Sequence, residues 1–175
     1  MFKEERTHSM FEWNMIGDVE KGRPNIGQNV NVGLYRLMQF TLRDYLIQKF
    51  DVKTADEVFY EAGKLAGTHF FRKFLDTGYA FNDFIAKITN LLLELKIGIL
   101  RVEKSDLEKM EFTVTVAEDL DCSGLPVTDE TICAYDEGFL EGVFDEYTGA
   151  KFHVKEVDCW CSGERVCRFD IKKLS

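Results

Sequence analysis

The chain has 175 residues, a hydrophobic content of 45% and a formal net charge of −9, which together predict one globular domain with a sizeable core. The acidic balance disfavours direct binding to nucleic acid, which needs a basic face, and likewise disfavours an anionic membrane surface. The N-terminus lacks the apolar segment of a secretory signal, and no run is long and apolar enough to span a bilayer. We therefore expect a cytoplasmic protein whose five cysteines stay reduced.

The first 98 residues begin with a short irregular part and continue as helices. Residues 1–28 predict a short strand around residues 11–15, followed by a glycine-rich loop. Residues 29–98 carry the apolar spacing of three helices, the first with Leu34, Met38 and Leu42 on one face.

The second and third predicted helices carry recognisable boundary and packing signals. The second opens with Thr54 and Glu57, the pattern of a capping box. Its Gly63 and Gly67 lie four residues apart, which predicts a close crossing with another helix. The third helix is predicted to end at Gly98, a residue type that favours helix C-termini.

Residues 99–175 change to the two-residue alternation of strands. "GILRVEK" and "EFTVTVAE" predict one hairpin, and "KFHVKEVD" and "RVCRFDIK" predict another. Between them, "ETICAYDEGFLEGVFDEYTG" predicts a helix that ends at Gly149. This order indicates an α+β domain with helices packed on one face of an antiparallel sheet.

Three cysteines fall in the segment "VKEVDCWCSGERVCRF", where a metal site is one of three possible interpretations. Cys159 and Cys167 flank the turn "SGER", so a hairpin would bring their side chains together. Cys133 in the preceding predicted helix and Glu156 could complete a tetrahedral zinc site, because zinc accepts thiolate and carboxylate ligands. Buried free thiols and a redox pair are the other two interpretations.

The fourth ligand of such a site is ambiguous on spacing alone. In an extended strand Cys159 and Cys161 face the same side, so Cys161 could replace Glu156. The use of Glu156 requires a bulge near Asp158.

The segments "GLYRLMQ", "YEAGKLAG", "DCSGLP", "CAYDEGFLEGVF" and "KEVDCWCSGERVCRFDI" resemble the 4-vinyl-reductase domain family. This domain also forms the sensor module of aromatic-responsive bacterial transcription activators. The resemblance implies a single domain over residues 1–175, a stand-alone member of the family. It also implies a structural Zn²⁺ ion on the positions that correspond to Cys133, Glu156, Cys159 and Cys167, with Cys161 outside the set.

The resemblance further implies the fold of the ligand-binding domains of NO signalling and Golgi transport type, in which helices and sheet enclose an apolar cavity. A small hydrophobic molecule is the implied partner. Phenylalanines at positions 84 and 112 favour a ligand more apolar than phenol, unless the side chains fill the interior completely. The candidate lining residues are Tyr60, His69, Phe70, Phe74, Phe84, Leu91, Phe112 and Val114.

The family name implies a reductase, but the sequence has neither a dinucleotide-binding glycine motif nor a phosphate loop. We therefore expect a small-molecule binding or sensor domain with a structural zinc site and no catalytic residues. The alternatives are an accessory protein or reductase of tetrapyrrole metabolism, and a dimeric protein-interaction module. We also expect a homodimer formed through the first helix or through the Gly63/Gly67 stripe.

Overall fold

A computed structural model describes residues 2–174 of the chain. Two 3₁₀ turns, Trp13–Ile16 and Trp160–Ser162, accompany the regular elements. The predicted α+β class is confirmed. The helices are α1 (Val19–Gly22), α2 (Val32–Lys49), α3 (Val52–Phe74), α4 (Phe81–Glu94) and α5 (Ala134–Thr148), and the strands are β1 (Ile99–Asp106), β2 (Glu111–Ala117), β3 (Phe152–Asp158) and β4 (Cys167–Lys173).

The four strands form one antiparallel sheet in the order β1-β2-β4-β3. Val116 on β2 lies opposite Cys167 on β4, so the end of β2 and the start of β4 are neighbours. The ladder between β3 and β4 shifts register between Glu156 and Asp158. This irregularity is the bulge that the sequence requires if Glu156 and Cys159 are to approach the same site.

Helices α3 and α5 cross with their backbones in direct contact, as the Gly63/Gly67 spacing predicts. A Cβ atom at Gly63 would lie 2.0 Å from the carbonyl oxygen of Tyr135, and one at Gly138 would lie 1.9 Å from that of Tyr60. Only glycine leaves room for such an approach, because both distances are far inside van der Waals contact. The glycine stripe is therefore used within the domain.

Two predicted helix boundaries are wrong. Helix α3 begins at Val52, and its cap is Asp51, whose side chain accepts a hydrogen bond from the backbone N–H of Thr54. Helix α4 ends at Glu94 rather than at Gly98. The backbone at Gly98 instead packs directly against β2, because a Cβ atom there would lie 2.5 Å from Cγ1 of Val116. By contrast, the predicted end of α5 at Gly149 is confirmed, with this residue in the left-handed conformation.

The strand predicted around residues 11–15 is also wrong. Within residues 2–174 this segment holds a 3₁₀ turn, and its aromatic residues act as separate anchors on α3. Phe11 packs edge-on against His69, with ring centroids 5.0 Å apart, and Trp13 packs edge-on against Phe74 at 5.2 Å. The alternation that resembles a strand therefore reflects contacts with a helix.

Helix α2 lies at the periphery and contributes no buried residue. It is fixed at two places, against α3 through the ion pair of Arg43 with Asp56 at 2.5 Å, and against the loop of residues 118–133. The outward apolar side chains of α2, which we name the α2 apolar face, are Leu34, Leu37, Met38, Leu42 and Tyr45. None of the helices within residues 2–174 combines the length and apolarity needed to cross a membrane.

Candidate metal centre and aromatic interior

Four cysteine sulfurs converge beneath the end of the sheet. The Sγ atoms of Cys122, Cys133, Cys159 and Cys167 all lie within 4.8 Å of one another, and all four residues are buried. Cys133 Sγ is 3.8 Å from both Cys159 Sγ and Cys167 Sγ. Cys122 Sγ is 3.0 Å from Cys167 Sγ. The four thiols are free, so no disulfide holds them together.

The four sulfurs come from three segments of the fold. Cys122 lies in the loop after β2, and Cys133 occupies the N-cap position of α5 rather than a place inside the predicted helix. Cys159 follows the last residue of β3, and Cys167 is the first residue of β4. A metal ion at this point would therefore tie together a loop, a helix terminus and the β3–β4 hairpin.

Three of the four ligands implied by the resemblance, Cys133, Cys159 and Cys167, meet in this cluster, while Glu156 lies beside it. Oε2 of Glu156 accepts a hydrogen bond of 2.9 Å from the backbone N–H of Cys133. Oε1 of Glu156 is buried and has no hydrogen-bond partner within residues 2–174. Burial raises the pKa of this carboxyl to about 8.

Cys161, the alternative fourth ligand, is buried but lies outside the sulfur cluster. The 3₁₀ turn Trp160–Ser162 carries it away from the extended path that would have placed it on the same side as Cys159. Its backbone carbonyl accepts hydrogen bonds from the N–H groups of Thr128 and Asp129, at 2.8 Å and 3.0 Å. This residue therefore helps to position the loop rather than to build the cluster.

The loop that carries Cys122 is held from two sides. Asp119 Oδ1 accepts hydrogen bonds from the N–H groups of Asp121 and Cys122, at 2.8 Å and 3.1 Å. Arg36 of α2 donates to the carbonyls of Leu120 at 2.7 Å, Asp119 at 3.2 Å and Ser123 at 3.0 Å. These contacts fix the backbone on both sides of Cys122.

Three aspartates stand near the cluster, of which Asp119 and Asp121 are buried and Asp136 is partly buried. Burial, and then the neighbouring charge of Asp121, raise the pKa of Asp119 to about 6. Burial and the charge of Asp119 raise the pKa of Asp136, and Oδ2 of Asp136 has no partner within the described chain. The hydroxyl of Tyr35 and the amide of Gln39 donate to Asp121, at 2.9 Å and 2.7 Å.

The thiols shift one another's pKa values because their sulfurs lie together in one buried space. Hydrogen bonding to Cys122 and to the other thiols, together with burial, raises the pKa of Cys133. Hydrogen bonds from Cys122, Cys133 and Cys167 lower the pKa of Cys159. A divalent ion that prefers soft ligands in a tetrahedral arrangement is bound by thiolates at separations of this kind. The donor set therefore fits zinc, and all four positions would be filled by protein.

The aromatic interior lies between the sheet and helices α3, α4 and α5. Phe84 stacks on Tyr147 with ring centroids 3.9 Å apart and meets Phe144 edge-on at 5.7 Å. Phe112 stacks on Phe81 at 5.0 Å. Six of the eight candidate lining residues belong to this continuous apolar cluster, namely Phe70, Phe74, Phe84, Leu91, Phe112 and Val114.

The remaining two candidate residues face other surroundings. The hydroxyl of Tyr60 donates a hydrogen bond to Oε2 of Glu141, and Tyr60 lies at the α3–α5 crossing. His69 is buried against Phe11 at the N-terminal segment. Sequence reasoning missed Phe81 and Phe144, which close the interior between Phe84 and Phe112; their apolar positions in α4 and α5 were the available signal.

Comparison with known proteins agrees with these features. The family model of the vinyl-4-reductase domain matches residues 112–173, which include Cys122, Cys133, Cys159 and Cys167. The uncharacterized protein MJ1642 of Methanocaldococcus jannaschii is 26% identical over 148 residues, which cover 84% of this chain and 80% of that protein.

Solved structures share the fold at low sequence identity. The phenol-responsive sensory domain of the transcription activator PoxR has a TM-score of 0.66 and 15% identity, over 82% of this chain and 75% of that one. A vinyl-4-reductase family protein from Methanocaldococcus jannaschii has a TM-score of 0.61 and 16% identity, over 96% and 100%. Trafficking protein particle complex subunit 3 of Naegleria fowleri, covalently bound to palmitic acid, has a TM-score of 0.66 and 13% identity, over 85% and 98%.

An H-NOX protein from S. oneidensis also shares the fold, with a TM-score of 0.52 and 16% identity over 93% of this chain and 88% of that one. The predicted fold, shared by ligand-binding domains of NO signalling and by transport subunits, is therefore confirmed. The predicted resemblance to the 4-vinyl-reductase domain family is confirmed as well.

Proposed function

We propose, from the vinyl-4-reductase domain match over residues 112–173, that this protein is a small-molecule-binding domain of the sensor type, closed by a structural zinc ion. The single observation that carries the proposal is the separation of two environments within one fold. The sulfur cluster offers a metal four protein ligands, and the aromatic interior, whose rings pack against one another, would surround an apolar ligand with side chains that carry no charge. A metal with no open position stabilises a fold and leaves recognition to the interior.

The zinc part rests on the chemistry of the buried thiols. Cys133, Cys159 and Cys167 occupy the positions that the resemblance implies, and their sulfurs share one buried space. Cys133 stands at the start of α5, where the helix dipole would partly offset the raised pKa of this thiol. Zinc would supply a cross-link among three segments, so its binding free energy would become folding free energy. All five cysteines are free thiols, which supports a reducing, cytoplasmic location.

The ligand part rests on the way in which α4 covers the interior. The backbone of α4 packs against β1, whereas its contact with α5 is made by aromatic side chains. The ring of Phe84 lies between Tyr147 and Phe144 of α5, and Phe81 covers Phe112 of β2. An outward movement of α4 would separate these ring pairs and expose an apolar surface of the size of one aromatic ring.

The chemistry of this surface selects a compact apolar or aromatic molecule. The walls are phenylalanines with Val114 and Leu91, so a charged ligand would lose its hydration without a partner. Among proteins of this fold, the PoxR domain binds phenol and the Naegleria subunit carries palmitic acid. These ligands support the class of ligand and leave its exact structure open to measurement.

A homodimer forms the third part of the proposal, with the α2 apolar face as the interface. Leu34, Met38 and Tyr45 are each about 60% exposed or more, on a helix with no buried residue. Their spacing of four and seven residues puts them on one side of the helix. The Gly63/Gly67 stripe, the other candidate surface, is occupied by α5. A second copy of α2 would cover this apolar side.

Native mass spectrometry of freshly purified protein tests the proposal directly. We expect two chains, one zinc ion per chain, and either a copurified apolar molecule or uptake of phenol or palmitic acid added as probes. A thermal-shift assay with the same two probes measures stabilisation independently. Binding of neither probe, with no copurified molecule, would refute the ligand part, whereas purified protein without zinc would refute the metal part.

A further inference from the structure

We infer that Cys122, and not Glu156, is the fourth protein ligand of the zinc ion, which makes the centre a tetrathiolate. This inference rests on the proposed zinc site and sharpens it. The resemblance implies Cys133, Glu156, Cys159 and Cys167, whereas the atoms brought together are the sulfurs of Cys122, Cys133, Cys159 and Cys167.

Two of the sulfur–sulfur distances match the edge of a tetrahedron around one ion. A zinc–sulfur bond of about 2.3 Å implies sulfur–sulfur separations of about 3.8 Å along the edges of the tetrahedron. Cys133 Sγ lies 3.8 Å from both Cys159 Sγ and Cys167 Sγ. Cys122 Sγ reaches the same group, 3.0 Å from Cys167 Sγ, and no pair exceeds 4.8 Å. Binding of the ion would require the Cys122–Cys167 edge to lengthen from its present 3.0 Å.

Glu156 already binds the backbone at the start of α5. Its Oε2 accepts the backbone N–H of Cys133 at 2.9 Å, which fixes the start of α5 next to β3. Its Oε1 has no hydrogen-bond partner within residues 2–174, but neither carboxylate oxygen joins the group of ligand atoms that lie within 4.8 Å of one another. Glu156 is therefore a positioning residue for Cys133, in the manner of the hydrogen-bonding partners that surround metal ligands.

Hydrogen bonds fix the backbone around Cys122, as the position of a metal ligand requires. Its N–H donates a hydrogen bond of 3.1 Å to Asp119. Arg36 donates hydrogen bonds to the backbone carbonyls of Leu120 and Ser123. A buried loop residue fixed in this way delivers its sulfur to the cluster at little further cost in conformational entropy. The two candidate ligand sets carry the same total charge, so charge does not distinguish them and the positions of the atoms do.

X-ray absorption at the zinc edge of the wild-type protein is the first test. We expect four sulfur neighbours at about 2.3 Å. Three sulfurs with one oxygen or nitrogen at about 2.0–2.2 Å would overturn the inference while the proposed zinc site survives. Absence of zinc would overturn both, so the two failures are distinguishable. This measurement requires no variant and therefore does not depend on the folding of a mutant.

Zinc competition with a chromophoric chelator provides the second test, on three matched variants. Cys122→Ala should weaken zinc binding by more than about 100-fold, since it removes a ligand, whereas Glu156→Gln should weaken it by about 10- to 100-fold or less. Cys161→Ala, which removes a buried cysteine outside the cluster, should leave the affinity unchanged. A larger loss in Glu156→Gln than in Cys122→Ala would contradict the assignment, as would a wild-type affinity in Cys122→Ala.

Discussion

The Nε atom of Arg36 donates a hydrogen bond of 2.7 Å to the backbone carbonyl of Leu120, so helix α2 is fastened to the loop that carries Cys122. The same guanidinium reaches the carbonyls of Asp119 and Ser123. One side chain therefore joins the proposed dimer helix to the proposed metal centre.

Removal of this link should loosen both regions. We expect Arg36→Ala to lower the free energy of unfolding by about 1.5–3 kcal/mol, the range for hydrogen bonds that involve a charged group. Urea denaturation measures the change. Arg43→Ala is the matched control on the same helix, because Arg43 pairs with Asp56 of α3 and leaves the loop untouched. Faster zinc release in Arg36→Ala but not in Arg43→Ala would show that the loop is the affected element; equal rates would contradict this link.

Chelation should destabilise the protein by an amount that grows with the logarithm of its zinc affinity. When free zinc stands at about 1,000 times its dissociation constant, binding adds about 4 kcal/mol to the free energy of unfolding. Prolonged incubation with a strong chelator should remove that contribution and lower the melting temperature, and zinc should restore it. Cys159→Ala and Cys167→Ala should show the lower melting temperature before any chelator is added. Identical melting curves with and without chelator would argue against a structural metal.

The α3–α5 crossing should not tolerate a methyl group. A Cβ atom at Gly138 would meet the carbonyl oxygen of Tyr60 at 1.9 Å, so Gly138→Ala must push the two helix backbones apart. We expect a loss of about 3 kcal/mol or more in the free energy of unfolding. Gly22→Ala is the control, because a Cβ atom at Gly22 meets nothing within 4 Å. Equal stability of the two variants in thermal denaturation would contradict the close crossing.

The α2 apolar face should control self-association. Met38→Glu places a charge on a side chain that is 65% exposed in the single chain, so it should disrupt a dimer without disturbing the core. Light scattering at micromolar concentration should show a monomer for Met38→Glu and a dimer for the wild type. Leu107→Glu, at a position of comparable exposure in the β1–β2 turn, should remain dimeric. A wild-type monomer would refute the proposed interface.

The aromatic interior should become a binding site for a small probe when one ring is removed. Phe84→Ala deletes a fully buried ring and should cost about 3–5 kcal/mol of stability. Phenol should then raise the melting temperature of Phe84→Ala more than that of the wild type, because it fills the vacated space. Phe2→Ala, at a 72% exposed position, serves as the control with no expected effect. No response to phenol in Phe84→Ala would indicate that the interior collapses when the ring is lost.

Sequence periodicity predicted most of the elements because α3, α4, β3 and β4 each bury one face. The hairpins and the end of α5 at Gly149 follow from this patterning. The N-terminal strand was mispredicted since Phe11 and Trp13 contact a distant helix, which periodicity does not distinguish from a half-buried strand. The start of α3 was misplaced because Asp51 competes with Thr54 as a cap.

The sulfur cluster was predictable in part. Cys159 and Cys167 flank a short turn, so their proximity follows from the hairpin alone. Cys122 escaped notice because its position depends on the pairing of β2 with β4, which places Val116 opposite Cys167, and on the contacts of Arg36 with the loop. The available signal was a cysteine five residues beyond the end of a strand in a chain with an odd number of cysteines. Spacing along the chain does not reveal such long-range neighbours.

The glycine crossing also sets how the domain can move. Without side chains as spacers, the backbones of α3 and α5 interlock so closely that neither helix can slide or roll without a collision between a carbonyl oxygen and the other backbone. Helices α3 and α5 therefore behave as one rigid unit. A displacement produced by a ligand would therefore involve α4 or α2 rather than a change within the α3–α5 pair. Binding of a ligand in the interior would consequently change the position of α4 or α2 at the surface of the domain.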